Sequence, residues 1–154
     1  MNRFTRKTHL ALVFMGLVVA AGFARATTSD TNLAGIVNKF LAARQATMLE
    51  KSALTDIDAL LAFYAEDVVY EHPRVKMKIE GKATMREGMG KFLGLTRDAR
   101  IVTLNQISNL NVVVAEYQVT FKAQDGNAWK EVTRKQVSFF EFEGEKIKRV
   151  VDYW

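Results

Sequence analysis

Two titratable side chains stand where they could support proton-transfer chemistry, His72 and Asp152. A free imidazole titrates near about pH 6.5, so His72 can take a proton from an activated carbon or from water. Asp152 lies in the apolar run Val150–Trp154, and a carboxylate in such a run is rare unless it is paired. We therefore predict a catalytic acid/base pair in which Asp152 orients His72.

Both residues also have a structural interpretation that the sequence leaves open. His72 can be a partly exposed histidine at a strand end, hydrogen-bonded to a backbone group. Asp152 can be the acidic partner of a salt bridge to Arg44 or to Arg134. Neither alternative requires a ligand.

Four neighbouring side chains are predicted to bind a ligand beside this pair. Residues two apart on a strand point the same way, so Tyr70 shares a face with the histidine and Trp154 shares one with the aspartate. Gln136 and Ser138 share a face of the preceding strand and can donate hydrogen bonds to a carbonyl oxygen. Tyr70 and Trp154 either line a pocket for a flat ligand or belong to the core.

The segment Phe63–Pro73 must position the histidine. A helical pattern that begins with Thr55 and runs to about Ala65 gives way to period-two alternation in Val68–Tyr70. Pro73 cannot donate to a sheet hydrogen bond, so it is expected to end the strand and to fix the direction of the preceding side chain.

The remaining pattern predicts an α+β domain. Two further helices are expected at Leu33–Met48 and Lys82–Leu93. Strands are expected at Val75–Glu80, Ala99–Ser108, Val112–Ala123, Ala128–Phe142 and Lys146–Trp154. In this order three helices pack on one face of a strongly curved, mainly antiparallel sheet, which gives a cone with a mouth. Long strands that are apolar on both faces also predict a homodimer through the sheet.

Residues 1–26 have the order of a secretory signal peptide. Basic residues precede the apolar run Leu10–Phe23, and the small-residue segment Ala24–Ala26 follows it. We expect cleavage after Ala26, one domain at 27–154, and a periplasmic or secreted location. The apolar run is shorter than the roughly 20 residues that span a bilayer, so a retained anchor is the alternative and no membrane association is expected after cleavage.

The charge balance and the composition limit which classes of partner, metal and cofactor we expect. The leader holds four basic and no acidic residues, which leaves 18 basic against 17 acidic residues in the rest of the chain. This balance gives no reason to expect a nucleic-acid partner. With no cysteine and one histidine after the leader, no metal site is expected, and the absence of a glycine-rich phosphate loop predicts no cofactor.

The order of elements and three stretches resemble the nuclear transport factor 2-like superfamily, in its branch of SnoaL-like polyketide cyclases and ketosteroid isomerases. The stretches are FYAEDVVYEHP at 63–73, EGKATMREGM at 80–89 and SFFEFEGEKIKRVVDYW at 138–154. The resemblance covers the whole chain after the leader and implies the cone-shaped NTF2-like fold. That fold hosts isomerases, cyclases, dehydratases, hydrolases and binding proteins, so it does not specify the reaction.

The resemblance also implies roles for individual residues. Ketosteroid isomerases carry an aspartate base where this chain has His72, and their two oxyanion donors correspond to Phe40 and Ser138 here. Because both strong donors are missing, steroid isomerisation by that mechanism is not expected, and Phe40 becomes a candidate ligand contact. The polyketide cyclases resemble this chain in placing an acid/base aspartate on the last strand, at Asp152.

The sequence therefore predicts an exported domain that binds a small, mostly apolar molecule bearing an oxygen function. An acid/base enzyme of the isomerase, cyclase or dehydratase type, using His72 and Asp152, is the first alternative. A protein-interaction domain that works through its sheet face is the second.

Overall fold

The computed structural model describes residues 30–154, with side chains from residue 33 onward. The predicted leader at 1–26 and its cleavage site lie outside these residues, so export remains a prediction.

Three helices pack on one six-stranded mixed sheet. The helices are α1 (Asp30–Ala46), α2 (Leu54–Leu61) and α3 (Lys82–Gly90). The strands are β1 (Tyr64–His72), β2 (Met77–Glu80), β3 (Thr96–Asn109), β4 (Val112–Asp125), β5 (Ala128–Glu143) and β6 (Lys146–Tyr153). Their spatial order is β2-β1-β6-β5-β4-β3, with β1 and β6 parallel and the other neighbours antiparallel. The predicted α+β arrangement of three helices on a curved sheet is confirmed.

Helix α1 lies across the concave face of the sheet. Its residues Leu33, Val37, Phe40 and Leu41 recur at helical spacing and are all buried. The Phe40 ring packs edge-on against the rings of Tyr64 and Phe140, with centroid distances of 5.4 and 5.3 Å. Phe40 therefore sits in an aromatic core cluster, and its predicted contact with a ligand remains untested.

The end of α2 differs from the prediction. Residues 62–65 were expected to continue the helix, but the helix ends at Leu61 and Tyr64 already belongs to β1. The Ile147 N–H donates to the Phe63 carbonyl at 2.9 Å, and Tyr64 pairs with Ile147 in the parallel ladder. Pairing with a strand far along the chain thus overrides the local helical periodicity.

The turn after β1 follows from Pro73. The strand ends at His72 as predicted, and Pro73–Val75 form a short 3-10 turn. Strand β2 therefore starts at Met77, two residues later than expected. Gly81, with φ of +80°, then redirects the chain into α3. That helix ends at Gly90, three residues before the predicted Leu93, since Gly88 and Gly90 are weak helix formers.

Strands β4, β5 and β6 alternate between the two faces of the sheet. The inner face of β4 carries Val113, Ala115, Tyr117 and Val119, which are buried. The outer face carries an apolar row in which Ile107, Val114, Phe139 and Val151 are consecutive cross-strand neighbours. We call this row the outer apolar row.

Among residues 30–154, none of the helices has both the length and the apolar character that crossing a membrane requires.

Candidate functional site

Asp152 lies at the centre of a buried polar group built from three adjacent strands. Its carboxylate is 0% exposed, and β6 places it directly opposite Ser138 of β5. The Ser138 hydroxyl donates to Asp152 Oδ1, and the Tyr70 hydroxyl from β1 donates to Asp152 Oδ2 at 2.8 Å. Both carboxylate oxygens are thus engaged by side chains that the sequence analysis had assigned to ligand binding.

Arg44 of α1 and Tyr117 of β4 complete this group. Arg44 Nη1 lies 3.6 Å from Asp152 Oδ2 and 2.6 Å from the Tyr117 hydroxyl oxygen. The Tyr117 hydroxyl in turn lies 2.7 Å from Ser138 Oγ. We call these five residues the Asp152 network.

The chemistry of the groups fixes the direction of each hydrogen bond. A guanidinium only donates, so Tyr117 accepts from Arg44 and gives its own proton to Ser138. A carboxylate only accepts, so Ser138 donates to Asp152. The network is therefore ordered from Arg44 to Asp152, with no member free to rotate.

Burial sets the electrostatics of the network. It raises the pKa of Tyr70, and the neighbouring charge of Asp152 raises it further while Arg44 lowers it. Burial also raises the pKa of Tyr117. Burial lowers the pKa of Arg44, but the nearby Tyr117 and Asp152 reverse this effect and the net pKa is raised. Both phenols thus remain protonated hydrogen-bond donors at neutral pH.

His72 lies on the same face as Tyr70, one step beyond the paired residues Glu71 and Val151 of the parallel ladder. It is 0% exposed, and its ring packs edge-on against Trp154 with centroids 4.4 Å apart. Neither Nδ1 nor Nε2 has a hydrogen-bond partner among residues 33–154. No hydrogen bond joins His72 to Asp152, so the predicted direct contact between the two side chains is not found. No bond joins the ring to a backbone group either.

Gln136 is the second buried residue with an unpartnered polar atom in this region. It is 4% exposed, and its Oε1 has no partner in the described part of the chain. Val137 pairs with Tyr153, so the antiparallel register brings Gln136 level with Trp154. The Arg134 guanidinium carbon lies 4.3 Å from the centroid of the Trp154 ring. We call His72, Arg134, Gln136 and Trp154 the Trp154 cluster.

Two surface cavities lie away from these residues. One of about 420 Å³ is lined by Asp98, Arg100, Val102, Leu104, Gln118 and Thr120. The other, of about 240 Å³, is lined by Ile36, Lys39, Ala62, Phe63, Glu145 and Lys146. Neither includes a residue of the Asp152 network or of the Trp154 cluster. Both cavities therefore lie apart from the predicted site.

The structure adds Tyr117 to the residues found from sequence and selects between two proposed salt bridges. Arg44 is the cation beside Asp152, whereas Arg134 contacts Trp154 instead. Tyr117 stands at an inward position in the alternating pattern of β4, which could have placed its ring inside but not its hydroxyl partners. Within residues 33–154, no three His, Cys, Asp or Glu side chains are close enough together to hold a metal ion.

Comparison with known proteins places this arrangement among related domains. Residues 46–150 match the family model of the SnoaL-like domain. No match was found among curated protein sequences.

Solved structures share the fold at low sequence identity. A candidate SnoaL-like polyketide cyclase from Shewanella putrefaciens CN-32 is 13% identical and has a TM-score of 0.66, with 79% of this chain and 88% of that one covered. An LEH-like epoxide hydrolase from M. tuberculosis is 20% identical and has a TM-score of 0.62, with coverage of 80% and 82%. An NTF-2 like protein of unknown function from Burkholderia xenovorans LB400 is 18% identical, with a TM-score of 0.59 and coverage of 80% and 83%. At these identities the similarity confirms the NTF2-like fold and no more.

Replacing the carboxylate of the network should destabilise the protein. Asp152→Asn leaves Arg44 without its counter-charge and offers an amide N–H to one of two hydroxyl donors. We expect the free energy of unfolding, measured by urea denaturation, to fall by about 3 kcal/mol. The control Asp58→Asn breaks an exposed pair with Arg86 and should cost far less. Equal stability of Asp152→Asn and wild type would contradict the structural role of the network.

The buried phenols predict an alkaline loss of stability. Burial raises the pKa of Tyr64, Tyr70 and Tyr117 in the folded chain above the value of about 10 for a free tyrosine. Their contribution is therefore fully present below about pH 10 and is lost above it, since the unfolded chain releases these protons first. Urea midpoints measured across this range should fall as pH rises, and the fall should be shallower in Tyr70→Phe. An identical slope in the variant would refute this assignment.

Proposed function

The chain belongs to the SnoaL-like domain family, and from that premise we propose that it binds a small, largely apolar ligand bearing an oxygen function at the Trp154 cluster. The binding takes place in an exported domain, after removal of the leader at 1–26. Trp154 supplies the apolar surface, and His72 and Gln136 supply the polar contacts.

The observation that carries this proposal is the set of unpartnered atoms around Trp154. His72 Nδ1 and Nε2 and Gln136 Oε1 are buried without a hydrogen bond to the described residues. Each such atom costs about 1–3 kcal/mol when it stays unpaired. A ligand hydroxyl can donate to one of these atoms and accept from another, so binding recovers that cost.

The Asp152 network fixes the positions of the strands around the proposed site. It ties together β1, which carries His72, β5, which carries Gln136, and β6, which Trp154 directly follows. Because the hydroxyl protons of Tyr70, Tyr117 and Ser138 are already used within the protein, we assign the network to holding these strands in place and not to contacting the ligand. Trp154 is 39% exposed, so its side chain can move aside to admit a molecule without unfolding the core.

A ligand screen tests the binding function. Steroids, polyketides and aromatic acids are screened by thermal shift, and the protein purified from its own source is examined by native mass spectrometry for a retained molecule. We expect a stabilising ligand whose affinity falls at least about tenfold in His72→Phe and in Gln136→Leu, since each change removes a hydrogen-bonding group and keeps much of the volume.

The control for this screen is Thr133→Ala, which lies on the outer face of the same strand as Gln136. It should bind as the wild type does. Undiminished affinity in both site variants would place the ligand elsewhere and overturn the proposal.

An acid/base enzyme is the second candidate, and the free nitrogens of His72 favour it. Of the relatives, one is an epoxide hydrolase and another a candidate polyketide cyclase, and both reactions move protons. In this interpretation His72 takes a proton from the bound molecule and the Asp152 network keeps the strand pair rigid. Mass analysis of the ligands found in the screen after incubation with the protein separates the two candidates, because only an enzyme converts them.

We also propose that two copies pair through the outer face of the sheet. In the outer apolar row, Ile107 is 64% exposed and Phe139 is 38% exposed, and Tyr153 packs beside Phe139 with centroids 6.0 Å apart. Exposed apolar surface of this kind marks protein contacts. A self-complementary row favours a second copy of the chain, and a different protein partner would use the same surface.

Sedimentation velocity tests the pairing. The wild type should sediment as a dimer, and Phe139→Glu should shift it to monomer because a charge would be buried at the contact. Phe92→Glu makes the same substitution at a residue that is 67% exposed and lies outside the sheet, and it should remain dimeric. A monomeric wild type would reject the homodimer.

A further inference from the structure

Arg134 belongs to the Trp154 cluster and contacts aromatic rings with its guanidinium group. It is two residues before Gln136 on the inner face of β5 and pairs across the sheet with Val119. Its guanidinium carbon lies 4.3 Å from the Trp154 ring centroid and 5.3 Å from that of Phe121. The cation thus lies against two aromatic rings beside the proposed ligand site.

The hydrogen-bonding edge of this guanidinium is unused. Arg134 forms no ion pair or hydrogen bond with any side chain or backbone group among residues 33–154. Contact with an aromatic ring uses the face of the planar group and leaves its N–H donors pointing outward in the plane. Those donors match the two oxygens of a carboxylate, with which arginine forms paired, charge-assisted hydrogen bonds.

The charges around Arg134 leave it uncompensated. The carboxylate of Asp152 is already paired with Arg44, and it accepts from Tyr70 and Ser138 as well. Burial lowers the pKa of Arg134, and the charge of Arg44 lowers it further. Arg134 therefore feels the charge of Arg44 without an anionic side chain of its own among the described residues to balance it, which favours the entry of an anion.

We propose that Arg134 binds a carboxylate of the ligand, so that the ligand class is a small apolar acid. This inference rests on the proposed function, since it assigns the chemistry of a molecule bound at the Trp154 cluster. The carboxylate lies against the outward edge of Arg134, the apolar body lies on Trp154, and a second polar group meets His72 or Gln136. A neutral ligand would leave the guanidinium uncompensated.

Matched acids and amides test the assignment. The probes are naphthalene-2-carboxylate, cinnamate and indole-3-acetate, each compared with its own primary amide, which keeps the shape and removes the charge. Binding is followed by isothermal titration calorimetry and by Trp154 fluorescence in a Trp129→Phe background, in which Trp154 is the only tryptophan. We expect at least one acid to bind about tenfold or more tightly than its amide.

Two variants identify the residue responsible. Arg134→Gln should remove the preference, by weakening the acid about tenfold more than it weakens the amide. Lys135→Gln removes the same charge from the adjacent, outward-facing residue and should keep the preference. If the change at Lys135 has the same effect as the change at Arg134, general surface charge is responsible and the proposal is overturned.

The outcomes separate this inference from the function on which it rests. Equal binding of an acid and its amide, or a preference that survives Arg134→Gln, overturns the carboxylate assignment and leaves ligand binding at the cluster intact. If no acid and no amide binds at all, the assignment is overturned, and the proposed binding function loses its support as well.

Discussion

The structure depends on one buried ion pair and the hydroxyl groups that satisfy it. Asp152 and Arg44 come from the last strand and the first helix, and a buried pair of this kind stabilises a fold only when the remaining lone pairs and protons find partners. Tyr70, Ser138 and Tyr117 are those partners. These five side chains come from α1, β1, β4, β5 and β6. Moving α1 or β6 would separate the ion pair, and moving β1, β4 or β5 would remove a hydroxyl group that satisfies it.

The need to satisfy this ion pair separates the interior of the cone into regions with different roles. Around Phe40 the interior is an aromatic core, and around Asp152 it is a closed polar network. Around Trp154, buried polar atoms of His72 and Gln136 lack partners, as do single atoms of Ser52 and Arg97 elsewhere in the described part of the chain. The unused hydrogen-bonding atoms of His72 and Gln136 are buried, but they lie beside Trp154, which is 39% exposed.

Local patterns predicted much of this from the sequence. The alternation that placed Tyr70 and His72 on one face, and the effect of Pro73 on the strand end, are both found in the structure. The pattern failed at Tyr64, whose strand partner Ile147 lies far along the chain and leaves no local signal. The pattern also failed to predict the role of Tyr117. Strand alternation shows that its ring points inward, but it does not show which hydroxyl or guanidinium group will bind its oxygen. Periodicity reports which face a side chain takes, whereas partners depend on packing between distant elements.

The parallel pairing of β1 with β6 has a consequence for how the chain folds. The hydrogen bond from Tyr70 to Asp152 joins residues 82 positions apart, and every other strand lies between them in sequence. Closing so long a loop is entropically costly and slow, so the centre of the sheet forms only after β6 is available. During synthesis, the edge of β1 that pairs with β6 stays unpaired until β6 has been made. Assembly of the site therefore requires the last strand, and a chain that has acquired its site has also joined β1 to β5 through β6.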